Sequence, residues 1–279
     1  MQEYKGDIGL YLSGQQIKVA SCGIFITQPK IKDIVVQMGE SDFISTANLL
    51  THLNKFAAAI KEGNSVLDEL SDFQILIEVL RQKDSSFYGM ITNFFNLCLP
   101  QFHFKCSKHS IDFLTEDDMT VGMINVFNYD DFAVTLKELF IPRQKEEEPE
   151  YNIDESNELS RRLLEKIKRN RELLAKQRVA KEGENVSLFG LYISSLSIGL
   201  GMDINIFYNY TPFQLYDSFN RFMAKMQRDK YDSLLLVPFA DTSKIKENEP
   251  SNWLENLYKP IEQKYNSLQG LSAVHSNAR

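Results

Sequence analysis

Cys98, His103, Cys106 and His109 place four possible zinc ligands within twelve residues. Thiolate and imidazole are the groups zinc favours, and four of them close a tetrahedral site. The spacing argues against that use. Structural sites bring two ligand pairs together across a longer loop. If the segment is a β-strand, His103 and Cys106, three positions apart, point to opposite faces. A hairpin with one buried cysteine and two surface histidines accounts for the same residues, so the expectation is that no metal is bound. Glu116-Asp117-Asp118 and Asp130-Asp131 carry charge for a hard cation. They lack the glycine and distal glutamate of a calcium loop, and read as helix caps and solvated loops. Gly199 and Gly201 are not followed by the Lys-Ser/Thr that cradles phosphate. There is no G-x-S-x-G, and none of the four histidines lies beside a nucleophile in a triad pattern. The expectation is a protein with no catalytic residues and no cofactor.

Binding chemistry is better represented. Residues 155–181 hold nine bases and four acids, with apolar residues at Leu159, Leu163, Ile167 and Leu174. A basic helix of this kind suits nucleic acid, but it has no interleaved aromatics and its leucine stripe needs an apolar partner. Protein contact is the preferred reading. A second stripe, Leu215, Phe219, Phe222, Met223 and Met226, reads first as a core face and second as a groove for a partner. The partner-binding candidates are therefore Leu159, Leu163, Ile167, Leu174, Phe219, Phe222 and Met226. The net charge of −7 does not suit coating of nucleic acid. No apolar run reaches the roughly 18 residues of a membrane span. Residues 1–7 show no basic start of a signal peptide. Three cysteines in 279 residues favour reduced thiols over a disulfide framework.

The elements that must position these residues read as α+β, predominantly α-helical. Residues 8–28 alternate at Ile8, Leu10 and Leu12, again at Ile17 and Val19, and again at Ile24 and Ile26, which predicts a small antiparallel β meander ended by Pro29. The period then becomes helical. Ile31, Ile34, Val35 and Met38 form one stripe with Gly39 as its stop, and Ser71 with Gln74 opens another helix as a capping box. Residues 87–99 are apolar on nearly all sides and should be central. A β-hairpin is predicted near 102–114, with Phe102 and Phe104 opposite Ile111 and Phe113. Asn128 is placed as the cap of a helix carrying Phe132, Leu136, Leu139 and Phe140. Residues 186–201, with small residues interleaved, read as a tightly packed helix. Thr211-Pro212-x-Gln214 is a helix start, and a further helix is read at Tyr231–Val237. Residues 143–158 hold seven acids and two bases. The division that follows is an N-terminal α+β domain over 1–142, an acidic linker at 143–156, a helical domain over 157–265 and a disordered tail at 266–279.

The order of several segments carries a resemblance. A β start runs into I-x-I-x-x-P-x-I-x-x-I at Ile24, Ile26, Pro29, Ile31 and Ile34, followed by Gly39-Glu40-Ser41-Asp42-Phe43. The capped helix at Ser71-Asp72-Phe73 follows. Tyr210-Thr211-Pro212-Phe213-Gln214-Leu215-Tyr216-Asp217 and Asn252-Trp253-Leu254 come near the end. This order resembles the tail assembly chaperones of long-tailed phages of Gram-positive hosts, over about 20–140 and 185–260. The resemblance implies a protein of the host cytoplasm that self-associates as a homo-oligomer, coats the tape measure protein, recruits tail tube protein and is absent from the finished virion. It also implies a short and a long form made by frameshifting, with residues 1–142 serving self-association and tape measure contact, and 186–260 tube contact. The charged stretch at 155–181 has no counterpart in that pattern. The competing expectation is a structural virion protein: a tail, baseplate or connector component.

Overall fold

Strands β1 (Ile17–Val19) and β2 (Ile24–Ile26) pair antiparallel, with Ile17 opposite Ile26 and Val19 opposite Ile24. Those four side chains are buried while Lys18 and Phe25 face outward, the alternation that a sheet with one covered face requires. The computed structural model describes residues 8–62, 69–142 and 187–236. One expectation fails at its start. Residues Ile8–Ser13, read as a first strand of the meander, are a helix, α1. Six residues of alternation are too few to separate the two periods. What decides is Tyr11, which is buried against Phe213 (ring centroids 5.2 Å apart) and donates its hydroxyl to Glu138 at 2.7 Å.

Helices α2 (Ile31–Gln37), α3 (Glu40–Thr51) and α4 (Leu53–Lys61) follow. Gly39, at φ 84°, stops α2 and opens α3, a conformation that glycine adopts without a Cβ penalty. Ile31 and Ile34 of the expected stripe are buried, whereas Val35 is exposed. Helix α5 (Asp72–Arg81) opens with the predicted capping box: Ser71 Oγ accepts from Gln74 N, and Gln74 Oε1 accepts from Ser71 N at 2.8 Å. Helix α6 (Ser86–Cys98) is central as expected, burying Ile91, Phe94, Phe95, Leu97 and Cys98.

The predicted hairpin is present as β3 (His103–Cys106) and β4 (Ser110–Leu114), with Phe104 opposite Phe113. A third strand, β5 (Thr120–Asn125), completes a sheet of order β3-β4-β5. Sequence reading misses β5 because its inward positions are Gly122 and Ile124 while Val121 and Met123 face out, an inverted hydrophobic pattern. Gly122 is required there: a Cβ at that position would overlap the Cys22 carbonyl oxygen and lie 2.6 Å from Ile24 Cγ2. This close approach seats the β1–β2 hairpin on β5. Helix α7 (Tyr129–Phe140) buries Phe132, Leu136, Leu139 and Phe140.

Helices α8 (Leu188–Leu200), α9 (Ile204–Phe207) and α10 (Pro212–Leu235) complete the described chain. Thr211 and Gln214 cap α10 reciprocally, at 3.3 Å and 2.9 Å. The two helices read over 211–237 are one, continuous to Leu235, because nothing between Met226 and Tyr231 breaks the helix. Fold class is as read: mixed α+β, with helices dominating.

The core is aromatic. Phe43, Phe94 and Phe140 meet pairwise with centroids 5.2–5.9 Å apart. Phe95 meets Phe104 and Phe113 edge-on at 5.1 and 5.5 Å, the geometry aromatic quadrupoles favour. The same buried cluster contains Phe189, Ile193, Leu196, Phe207, Phe213, Leu215 and Tyr216. Described residues on both sides of 143–186 thus share one core. Hydrogen bonds reinforce this: Glu40 accepts from Ser187 Oγ and, at 2.8 Å, from Phe189 N, and Tyr210 O accepts from Ile31 N at 2.8 Å. The acidic linker at 143–156, the candidates Leu159, Leu163, Ile167 and Leu174, and residues 237–279 lie outside the described residues. Among the described residues, no helix is long and apolar enough to cross a membrane.

Candidate interaction surface

The four candidate zinc ligands are not brought together. Cys98 is wholly buried at the end of α6, and His109 sits in the turn closed by Ser107 N and Ser110 O. His103 and Cys106 lie on opposite faces of β3, as their spacing requires. Burial pushes the Cys98 thiol well above its ordinary range and, with help from Asp112, the Cys106 thiol up to about 11. His103 Nε2 instead lies 3.1 Å from Asp118 Oδ1, which also accepts from Lys105 Nζ at 2.9 Å. Those two bonds hold the Asp118 carboxyl below the usual range. Asp130 and Asp131 occupy the first turn of α7, where carboxylates suit the helix dipole. Among the described residues, no group of three or more His, Cys, Asp or Glu side chains is arranged to hold a metal ion.

The Phe and Met stripe on α10 divides into two parts. Leu215 is fully buried, and Asp217, also buried, accepts from Arg221 Nε at 2.9 Å. Beyond this point α10 leaves the core. Phe219 and Phe222 are half-buried, while Met223 and Met226 stand exposed, Met226 at 51%. Phe219 and Phe222 pack against the core from its edge, whereas Met223 and Met226 do not belong to the core face the sequence suggests. Helix α8 covers the inner half of the stripe and runs in the same direction. Phe189 and Tyr192 contact Tyr216, Tyr192 stacks on Phe219 at 4.2 Å, and Gly199 lies beneath Phe222. A Cβ at Gly199 would overlap the Phe222 ring and lie 2.6 Å from its Cε2. The small residues of α8 thus permit close approach, but on one side only. Leu191, Ile198 and Leu200 face solvent, Ile198 at 84%.

The result is an apolar face shared by two helices. The two helices meet where Gly199 lies under Phe222; Ile198 and Leu200 are exposed on either side of Gly199 in sequence, and Met226 is exposed one turn beyond Phe222 on α10. Burying one such side chain contributes about 1.5–3 kcal/mol. The thioethers of Met223 and Met226 have the conformational freedom to fit irregular partners. Sequence reasoning found Phe219, Phe222 and Met226 but missed Ile198, because a helix apolar on nearly every side gives no sign of which side is left bare.

A second exposed group lies at the turn between β5 and α7. Asn128, read as a helix cap, makes no side-chain cap bond. It is a buried hub. Its Oδ1 accepts from Asn125 N at 2.7 Å, and its Nδ2 donates to Ser21 O and Met123 O, both at 2.9 Å. The hub fixes a turn that presents Val126 and Phe127 to solvent. No protein-family model, curated protein or solved structure matches this chain.

Proposed function

We propose that this chain is a non-catalytic assembly chaperone of the phage tail. It self-associates and holds apolar helical stretches of tape measure protein and tail tube protein in the host cytoplasm. The observation that carries this reading is the α8–α10 pair, whose helices meet at Gly199 and Phe222 and leave Ile198, Leu200, Met223 and Met226 exposed. The ordered segments at 24–43, 71–73 and 210–217, which resemble such chaperones, support it.

An amphipathic helix binds such a face through anchors one turn apart. Each contact is modest and reversible, which a chaperone requires. Many copies along one elongated partner then act together, because each further contact forms at high effective concentration. Release follows when tube subunits compete for the partner.

The test is recovery of tagged protein from infected cells, with mass spectrometry of the eluate and of finished virions. Tape measure or tail tube protein in the eluate, lost in an Ile198→Asp/Met226→Asp variant, with the chain absent from virions, is the expected result. Stoichiometric presence in virions would overturn the chaperone reading in favour of a structural tail component.

A further inference from the structure

The surface around β5 has a chemistry that selects its partner. Phe127 is 94% exposed and Val126 53%, yet their turn is held by the three bonds of Asn128 and by Phe127 N donating to Asn125 Oδ1 at 2.9 Å. Val121 and Met123, on the outward side of β5, extend this apolar surface along the strand. A rigid turn presenting a bare aromatic loses little conformational entropy when it is covered.

Its rim is acidic. Asp112 is opposite Met123 in the strand register. Asp130 and Asp131 directly follow the turn, and Glu116, Asp117 and Asp118 precede β5. Bases near it include Lys105, bonded to Asp118, Lys18, whose ammonium lies 5.7 Å from the Phe25 ring centroid, and Lys108, two residues before Ser110, which pairs with Asn125. Two copies of this face set against each other would confront like charges at short range. The complementary occupant is apolar and basic. Residues 159–178 of this chain have that chemistry: eight bases and two acids around Leu159, Leu163, Ile167 and Leu174. Phe127 is bare among the described residues, and in a chain that self-associates a second copy brings this segment to it.

We propose that residues 159–178 of a second copy dock on the acid-rimmed face of β5 and the Val126–Phe127 turn. The contact is heterologous, one surface of one copy meeting a different surface of the next. Repetition of such a contact builds rings or open filaments rather than closed two-fold dimers. This deepens the self-association named above and rests on that part of the reading.

The test uses full-length protein. Carbodiimide cross-linking of mixed light and 15N-labelled chains should join Lys166, Lys168 or Lys176 to Asp130, Asp131 or Glu116 between chains of different label. Sedimentation velocity should show association that weakens with added salt. Phe127→Ser should weaken it about thirtyfold or more, as loss of a hot-spot side chain does, with unchanged far-ultraviolet circular dichroism because the ring is bare. Asp130→Lys/Asp131→Lys should weaken association, and Arg169→Glu/Arg171→Glu on the same chain should restore it. Association that persists unaltered in Phe127→Ser and in the charge reversals would overturn this interface while leaving self-association intact. A wild-type chain that stays monomeric at every concentration would overturn both.

Discussion

Replacing Asn128 measures what holds the β5–α7 turn. The side chain is 7% exposed and makes three hydrogen bonds, to Ser21 O, Met123 O and Asn125 N. Each intramolecular bond contributes about 0.5–1.5 kcal/mol net, and groups stranded away from water cost more. Asn128→Ala should therefore destabilise the fold by roughly 3 kcal/mol, lowering the thermal midpoint by about 6–12 °C for a chain of this size. Asn128→Asp keeps the acceptor for Asn125 N but turns a carboxylate toward two carbonyl oxygens, with no proton to give. At neutral pH it should be at least as damaging as alanine. Two facing carbonyl oxygens should raise its carboxyl above the ordinary aspartate value of about 4, so its penalty should shrink as pH falls through the folded-state value and the proton returns as a donor. Urea denaturation of the three proteins at pH 7, and of the aspartate variant down to pH 4, reads these differences. If both variants remain within about 1 kcal/mol of wild type, water substitutes for Asn128, and the claim that the turn is rigidly held fails.

Gly122→Ala should cost about 2 kcal/mol through overpacking, because the new methyl meets the Cys22 backbone and Ile24; a denaturation midpoint equal to wild type would contradict the seating of β1–β2 on β5. Ile198→Asp/Met226→Asp should change stability by no more than about 0.5 kcal/mol per site, as exposed positions do, yet abolish capture of tape measure or tail tube protein; retained capture would remove the α8–α10 face from the proposed function. The Cys106 thiol, held up to about 11, should react slowly with Ellman's reagent at pH 8 in the folded protein and quickly in urea. Because the unfolded thiol loses its proton first, stability should fall as pH rises from about 8.5 toward 11, and a flat profile there would contradict the burial of Cys106.

Which parts of this fold could be read from sequence depends on whether the signal is local. The caps at Ser71 and Thr211 lie within four residues of chain and were legible with their partners Gln74 and Gln214. The hairpin at 103–114 announced itself by alternation, and alternation also separated His103 from Cys106. Helix α1 was misread because its six residues fit either period, and its outcome is set by Phe213, some two hundred residues away. Strand β5 was invisible because its inward position is a glycine, needed for a contact with Cys22 and Ile24 that no local pattern encodes. The stripe Leu215 to Met226 was read correctly as helical. Where it leaves the core depends on where α8 ends over it, at Leu200, just past the Gly199–Phe222 contact. Asn128 was recognised as polar at a helix start, but its three partners come from two other segments of chain.

The joint core has a consequence for the order in which the protein is made. Phe140 and its neighbours await Phe189, Phe213 and Tyr216, and Leu12 awaits Gln214, whose Nε2 donates to its carbonyl oxygen at 2.6 Å. At a synthesis rate of about 5–20 residues per second, the stretch from Pro142 to Tyr216 takes roughly 4–15 s to emerge. Throughout that interval the nascent chain displays, on the ribosome, the apolar floor on which α8 and α10 will rest. A product terminated in the acidic stretch after Pro142 would keep that floor open for its lifetime. Such a product would leave bare the surfaces of Phe140 and Leu12 that the full chain closes with its own helices.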